Sequence, residues 1–395
     1  MGQHRSVIYM DHAATSWPKP AAVQEAIVKA MLEEGANPGR GGHWMAVQAG
    51  KRLMRARMAL AKLFGIANPT DIAFTLNATM ALNMAIHGYV RPGDHVVATA
   101  VEHNSVRRPL EWLKIHRDVR VTYIDTDPYG SLNLNQLQDA VTDNTRLVVC
   151  NHSSNLLGSI LPIEEIAMIA HKKGAKLLVD GAQSAGLLPI DVRKMGIDML
   201  AFPGHKGLLG PTGTGGLYID PELDVQPIIQ GGTGSHSDEP LQPATRPDRY
   251  EAGTPNTMGI AGLEAGVNTV LHETVEKLYN KEWTLAQRLM EGLQSIDTLH
   301  ILGPQLGEPR TGIVSFISST MDSAEFAFRL DREYGIAVRA GYHCTPLAHQ
   351  AAGTTATGAV RVSVGWNTTD DDIDTVLDAI QNITEHSIRQ ESEHQ

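Results

Sequence analysis

The sequence predicts an α/β fold: a seven-stranded, mainly parallel sheet in a large domain, with a small α+β domain beside it. Two observations carry this. Between residues 71 and 219, short apolar runs alternate with stretches of helical periodicity, the pattern of a sheet buried on both faces. The C-terminal third instead groups short strands around a few helices.

Taken in order, VIYM at 7–10 is a small strand leading into DHAATSWP, and Pro18 falls near the first turn of a helix through AAVQEAIVKAMLEE. NPGRGGHW at 37–44 is loop, and a helix follows through QAGKRLMRARMALAKLFG. The candidate strands are DIAFT (71–75), HVVAT (95–99), RVTYI (120–124), RLVVC (146–150), KLLVD (176–180), DMLAF (198–202) and GGLYI (215–219). Helical periodicity fills NATMALNMAIHGY, SVRRPLEWLKIH and PIEEIAMIAHKKG between them.

Residues 231–257 break the pattern with a Gly/Pro/Ser/Thr-rich segment, too long for an ordinary connection and therefore functional or mobile. A helical region over 259–296 then leads into HILGP, TGIVSFI, a helix near 323–333, IAVRAGYHC and VRVSVG. No internal repeat is evident, and the end HSIRQESEHQ is expected to fray.

Composition narrows the function. Of 395 residues, 42% are apolar, enough for a sizeable core, and no run reaches the length of a membrane span. The opening MGQHRSVIYMDHAATSWP lacks an apolar signal core. Cys150 and Cys344 are the only cysteines, too few for a disulfide framework. A net charge of -11 and a pI near 5.8 argue against a nucleic-acid surface. A soluble cytoplasmic enzyme is the expected class, with no metal site.

LLVDGAQSAG at 177–186 and FPGHKGLLGPTGTGG at 202–216 concentrate the chemistry. The first is a strand ending at Asp180, with Gln183 three residues on; the second opens into a Gly-rich turn carrying His205 and Lys206. Open α/β sheets bind ligands outside the carboxyl ends of their strands, so an acid, an amide, an imidazole and an amine arrive at one rim. That quartet suits an aromatic aldehyde cofactor, the amine forming a Schiff base and the acid keeping a pyridinium nitrogen protonated. Singly the pieces are bland. An Asp after a strand is a common helix N-cap, a lone Lys is usually solvated, and GPTGTGG lacks the order of a dinucleotide loop.

Together with EHNS at 102–105, HSSNLLGSI at 152–160, RYEAGTPN at 249–256 and RAGYHC at 339–344, these motifs resemble the class V aminotransferase family. Within it the chain is most similar to the group II (Suf-like) cysteine desulfurases. The resemblance runs from YMDHAATS to VRVSVGWNTTDDDID. It implies a fold-type I pyridoxal 5'-phosphate enzyme, a homodimer with its sites at the subunit interface. The large domain would span 15–265, and the small domain would join 1–14 to 266–395.

The resemblance also implies roles. Lys206 is the Schiff-base lysine, Asp180 the partner of the pyridine nitrogen, and Gln183 the partner of the ring hydroxyl. His103 stacks on the ring and shuttles a proton. Thr79 and His205 hold the phosphate, and Thr254 reaches the phosphate of the other subunit. Asn155, Arg339 and Arg361 line the substrate site, with Arg361 clamping the carboxylate. Cys344 is the sulfur-accepting nucleophile.

Elementary chemistry supports several of these. Thr79 opens a candidate helix, where backbone N–H groups favour a phosphate. Arg361 has the planar fork a carboxylate needs. Cys344 lies in a loop with Arg339 nearby, an accessible and positive setting that favours a thiolate. Cys150, in an apolar strand, is a packing residue.

There are departures from the family pattern. Pro203 stands where a Ser or Thr usually helps to bind the phosphate and offers neither a hydroxyl nor an N–H. The cysteine loop, usually RTGHHCAxP, carries Ala340, Tyr342 and Thr345, with Pro346 one place early, and Met80 replaces a common acidic residue.

The implied reaction converts L-cysteine to L-alanine. Lys206 takes the Cα proton, Cys344 receives the sulfur as a persulfide, and a thiol or protein acceptor carries it away. The same residues also allow a selenocysteine lyase or cysteine sulfinate desulfinase, or another pyridoxal-dependent lyase, epimerase or transaminase. A non-catalytic sulfur carrier is the reading from another class.

Overall fold

The computed structural model describes residues 7–38, 41–235 and 238–393. After β1 (Ile8–Tyr9), the helices α1 (Ala21–Glu33) and α2 (Trp44–Phe64) precede the main sheet. Strand and helix then alternate through β2 (Ile72–Thr75), α3 (Ala78–Tyr89), β3 (His95–Thr99), α4 (Asn104–His116), β4 (Arg120–Ile124), α5 (Leu134–Ala140), β5 (Thr145–Asn151), α6 (Ile163–Lys172) and β6 (Lys176–Asp180). The strands β7 (Met199–Pro203) and β8 (Gly215–Ile219) complete a sheet of order β2-β8-β7-β6-β5-β3-β4. From β7 to β4 the strands run parallel, while β8 is antiparallel to both of its neighbours.

The apolar runs alternate between two cores, as the period of a strand requires. Val97, Val148, Cys150, Leu177, Val179 and Phe202 face α2, α6 and the later helix α7 (Thr257–Glu273). Val96, Ala98, Val149, Leu178 and Ala201 face α3 and α4. Both faces are covered, so every strand from β5 to β8 reads as nearly continuous apolar sequence. Pro203 ends β7 opposite Gly215, where a strand can accommodate a missing donor.

Beyond α7 come α8 (Val275–Gln294), β9 (Leu299–Leu302), β10 (Ile313–Ser318), α9 (Ser323–Tyr334), β11 (Ile336–Ala337), β12 (Arg339–Gly341), α10 (Pro346–Ala351), β13 (Ala359–Ser363) and α11 (Asp370–Glu393). An antiparallel sheet, β12-β13-β10-β9, packs on α8, α9 and α11. The N-terminus belongs to this unit: β1 pairs with β11, and Met10 lies in the same core.

Two expectations need correction. The helical region over 259–296 is two helices, broken at Thr274, whose φ is +67° and whose hydroxyl accepts the Lys277 N–H. Residue 265, the expected domain boundary, lies within α7, whose Val267 and Leu271 pack with the core of the main sheet. α2 starts at Trp44 rather than after the loop, with His43 as its N-cap. At the C-terminus α11 runs to Glu393, and residues 394–395 lie outside the described residues.

The segment over 231–257, of which 236–237 lie outside the described residues, is irregular but fastened. The Arg246 guanidinium donates to Asp71 at 3.1 Å and to the carbonyls of Ile219, Asp220 and Leu223.

The two units are joined through residues 152–160. Arg310, fully buried, donates to the carbonyls of Pro304 (2.7 Å), Leu157 (3.2 Å), Leu302 (3.4 Å) and Ile313 (2.6 Å). Thr311 donates its N–H to Gly158 O, and the Ser315 hydroxyl donates to Leu156 O. Gly158 has φ +71°, and a Cβ there would lie 2.8 Å from the Ile313 carbonyl, so the close approach requires glycine. Replacing Arg310 with Met leaves these carbonyls buried without donors. Arg310→Met is expected to lower the unfolding free energy by about 3 kcal/mol, measured by urea denaturation.

Candidate active site

One cleft gathers the ends of the central strands. It has a cavity volume of about 230 Å³ and is lined by Thr79, His103, Asn155, Asp180, Gln183, His205 and Lys206, with Pro203 among its walls. Asp180 ends β6, and the turn after β7 delivers His205 and Lys206. Thr79 lies in the first turn of α3, behind the N-cap Asn77, and His103 is the N-cap residue of α4. Gly204 makes the turn: a Cβ there would fall 2.1 Å from Thr214 Oγ1.

The backbone carrying Lys206 is clamped by the N-terminal segment. The His205 carbonyl accepts from Ser16 N–H (3.0 Å), Thr15 Oγ1 (3.0 Å) and Lys19 Nζ (2.7 Å), and the Lys206 carbonyl accepts from Ser16 Oγ (3.0 Å). Sequence reasoning marked DHAATS and gave Thr15, Ser16 and Lys19 no role. Their polar, turn-like pattern was the available signal.

Lys206 retains some exposed surface, but its amine is enclosed. Burial, with Arg361 and Arg339 adding to it against Asp180, lowers the amine to about 8. Asp180 is buried, its carboxylate accepts the Ala182 N–H at 2.9 Å, and burial raises its pKa. Burial and the nearby Lys206 lower both His103 and His205 to about 4, so both rings are neutral at pH 7. His205 Nδ1 lies 3.1 Å from Thr15 Oγ1, and Gln183 donates to Ala13 O at 3.0 Å.

The cysteine loop reaches the same region from the smaller unit. Gly341, His343 and Cys344 all have positive φ, at +105°, +46° and +60°. Two successive non-glycine residues in that region persist only where the surroundings over-determine them. Here Asn155 Nδ2 donates to His343 O at 2.6 Å, and Asn104 N–H donates to Cys344 O at 2.8 Å. The Thr345 hydroxyl donates to Glu102 O at 3.1 Å. Thr345, a departure from the family pattern, is therefore an anchor. Cys344 is half-buried, its Sγ 3.9 Å from Arg339 Nη2, and it borders an outer groove with His103, Thr79, Ser105 and Arg108.

Arg361 is held behind the cleft rather than in its wall. Its guanidinium donates to Asp11 Oδ1 (2.8 Å) and to Asn155 O (2.9 Å), while Nε is buried without a partner. Asp11, absent from the sequence-derived site, is thus its counter-ion. Thr254 lines a neighbouring cleft with Met80 and Asn256, outside the one containing Lys206. Cys150 is fully buried, and its thiol is pushed well above the usual range by that burial.

The chain belongs to the aminotransferase class-V family: residues 8–376 match it. Among its relatives is a probable cysteine desulfurase of Methanothermobacter thermautotrophicus, 35% identical over 96% of this chain and 95% of that one. The apo structure of a cysteine desulfurase from Thermococcus onnurineus NA1 superposes with a TM-score of 0.90 at 33% identity, covering 96% and 95% of the two chains. An Escherichia coli cysteine desulfurase in an S-sulfonic acid form gives 0.87 at 27% identity over the same shares.

Glu102 underpins the cleft. Its Oε1 accepts from Thr99 Oγ1 (2.5 Å) and Asn151 N–H (2.7 Å), Oε2 has no partner, and burial raises the carboxyl to about 8. A carboxyl pKa raised on folding contributes stability at low pH that is lost as pH rises towards the folded value. Glu102→Gln keeps the acceptor and removes the titration. The variant should gain on the wild type by on the order of 3 kcal/mol between about pH 5 and pH 9, read from denaturation midpoints across that range.

Proposed function

We propose that this chain is a pyridoxal 5'-phosphate-dependent cysteine desulfurase, converting L-cysteine to L-alanine and passing the sulfur from Cys344 to a thiol or protein acceptor. The observation that carries the reading is the arrangement of two nucleophiles. An enclosed amine with lowered proton affinity and a half-exposed thiol beside Arg339 border neighbouring spaces that share His103, Thr79 and Ser105.

The donor set fits the cofactor. One Asp180 oxygen is taken by Ala182, and the carboxylate retains acceptor capacity for a ring N–H. The first turn of α3, a twelve-residue helix, presents its N-terminus and the Thr79 hydroxyl to the cleft for a phosphate. Gln183 and His205 complete the wall, and Pro203 leaves it one hydroxyl short of the family pattern. When bound, pyridoxal phosphate supplies an aldehyde that links to amines and an electron-poor ring that stabilises negative charge at the substrate Cα.

The chain's own residues do the rest. Lys206 Nζ takes the Cα proton, and its lowered pKa leaves about a tenth of the amine as free base near pH 7. Neutral His103 moves a proton at the substrate thiol. Asn155, backed by Arg361, would orient the substrate carboxylate, and Arg339 Nη2 lies 3.9 Å from the Cys344 sulfur. Cys344 Sγ bonds to the substrate sulfur as the carbon–sulfur bond breaks; the electron pair of that bond stays on the substrate carbon, which takes up a proton, leaving a persulfide on the enzyme and alanine in solution.

A second copy of the chain completes the proposal. Met31, Leu32, Trp44, Met54 and Met58 are exposed on α1 and α2, an apolar surface that a homodimer would cover. Thr254, outside its own cleft, would then serve the partner's phosphate. No helix among the described residues is long and apolar enough to cross a membrane. Both cysteines are free, as a reducing cytoplasm would keep them.

Alanine formation from L-cysteine tests the reading. Lys206→Ala should lose the cofactor absorbance near about 420 nm and drop the rate by about 10²-fold to 10⁴-fold. Cys344→Ala should abolish turnover of cysteine; full-rate alanine production by this variant would remove the thiol from the mechanism. Retained activity on selenocysteine alone would shift the assignment to a selenocysteine lyase.

A further inference from the structure

Ser105 stands between two groups of the cleft with a single hydroxyl to give. Its Oγ lies 2.7 Å from Thr79 Oγ1 and 2.8 Å from His103 Nδ1, and the residue is buried. Its backbone N–H donates to the same Nδ1 at 3.1 Å, because His103 caps α4 with its ring. An amide N–H can only donate, so Nδ1 is an acceptor and the neutral imidazole carries its proton on Nε2.

Two arrangements satisfy the three side chains. In the first, Thr79 donates to Ser105 Oγ and Ser105 donates to His103 Nδ1. In the second, Ser105 donates to Thr79 Oγ1, and the Thr79 proton points into the cleft. No proton is gained or lost between them; two hydroxyls rotate. An anion at the N-terminus of α3 needs the Thr79 proton and so selects the second arrangement. Seating it withdraws the Ser105 hydroxyl from His103.

We propose that Ser105 is a positioning residue that couples phosphate occupancy at Thr79 to the proton affinity of His103. The inference rests on the cofactor reading given above. With the phosphate position empty, Nδ1 has two donors, which favour the neutral ring. With it filled, only the amide remains, and the ring takes a proton more readily. The charged groups facing His103 are Lys206, Arg339, Arg108 and Arg361, which oppose protonation; Asp180 shares the cleft, and Glu102 precedes it in the chain. None of these changes when the two hydroxyls rotate. The Ser105 contact alone switches.

The test uses the full-length apo protein with labelled histidine, titrated with inorganic phosphate and followed by NMR. The His103 signal is identified by its loss in His103→Gln. The wild type should show the proton on Nε2. Saturating phosphate should raise the proton affinity of His103 about threefold to tenfold more in the wild type than in Ser105→Ala. Ser105→Ala keeps the amide cap, and Ser105→Thr should restore the larger response. Ser105→Cys, similar in shape and a weak donor, answers the same question where alanine disturbs folding. Bound phosphate with equal responses in wild type and Ser105→Ala overturns the coupling alone, as does a proton on Nδ1. Absence of saturable phosphate binding by ³¹P NMR overturns the coupling and the cofactor reading together.

Discussion

Asn155 is where the molecule is held together as a functional object. Its carbonyl accepts from Arg361 on the small sheet, and its side chain donates to the His343 carbonyl beside Cys344. One residue of the large sheet's rim thereby fixes both a guanidinium and the cysteine loop. Groups meant to react in sequence need their separation fixed to a fraction of an ångström. Here they come from segments far apart in the chain, and local structure alone could not set that distance. Arg310, Thr311 and Ser315 brace the same loop from behind, so Asn155 is itself held in place.

The electrostatics of the cleft run against those of the whole chain. The protein carries a net charge of -11, yet Lys206 in the cleft is faced by the positive charges of Arg361 and Arg339. Burial, with mutual repulsion added to it, lowers the amine, and burial first and the positive field second hold His103, His205 and His343 neutral. Neutral imidazoles can accept as well as donate, which a ring buried as a cation could not do. Asp180 and Asp11 supply the countercharge, one at a strand end and the other on the Arg361 guanidinium.

Much of this was legible in the sequence because it is local. The strand ending at Asp180, the turn holding His205 and Lys206, and the helix opening at Thr79 each follow from period, apolar run and turn chemistry within about a dozen residues. The partners were not legible. Asp11 and Arg361 are separated by 350 positions, and Arg310 satisfies carbonyls, which carry no side-chain signature. The break at Thr274 places a β-branched residue at positive φ, where turn propensity gives no warning. His103 was marked for chemistry, but its service as a helix cap was not, since histidine is an uncommon cap.

The backbone around Cys344 has a consequence for how sulfur leaves. Its own carbonyl is tied to Asn104, the carbonyl before it to Asn155, and the side chain after it to Glu102. Such a moored thiol is a berth rather than a ferry. On the proposed reading, delivery over any distance then falls to the visitor that collects the cargo.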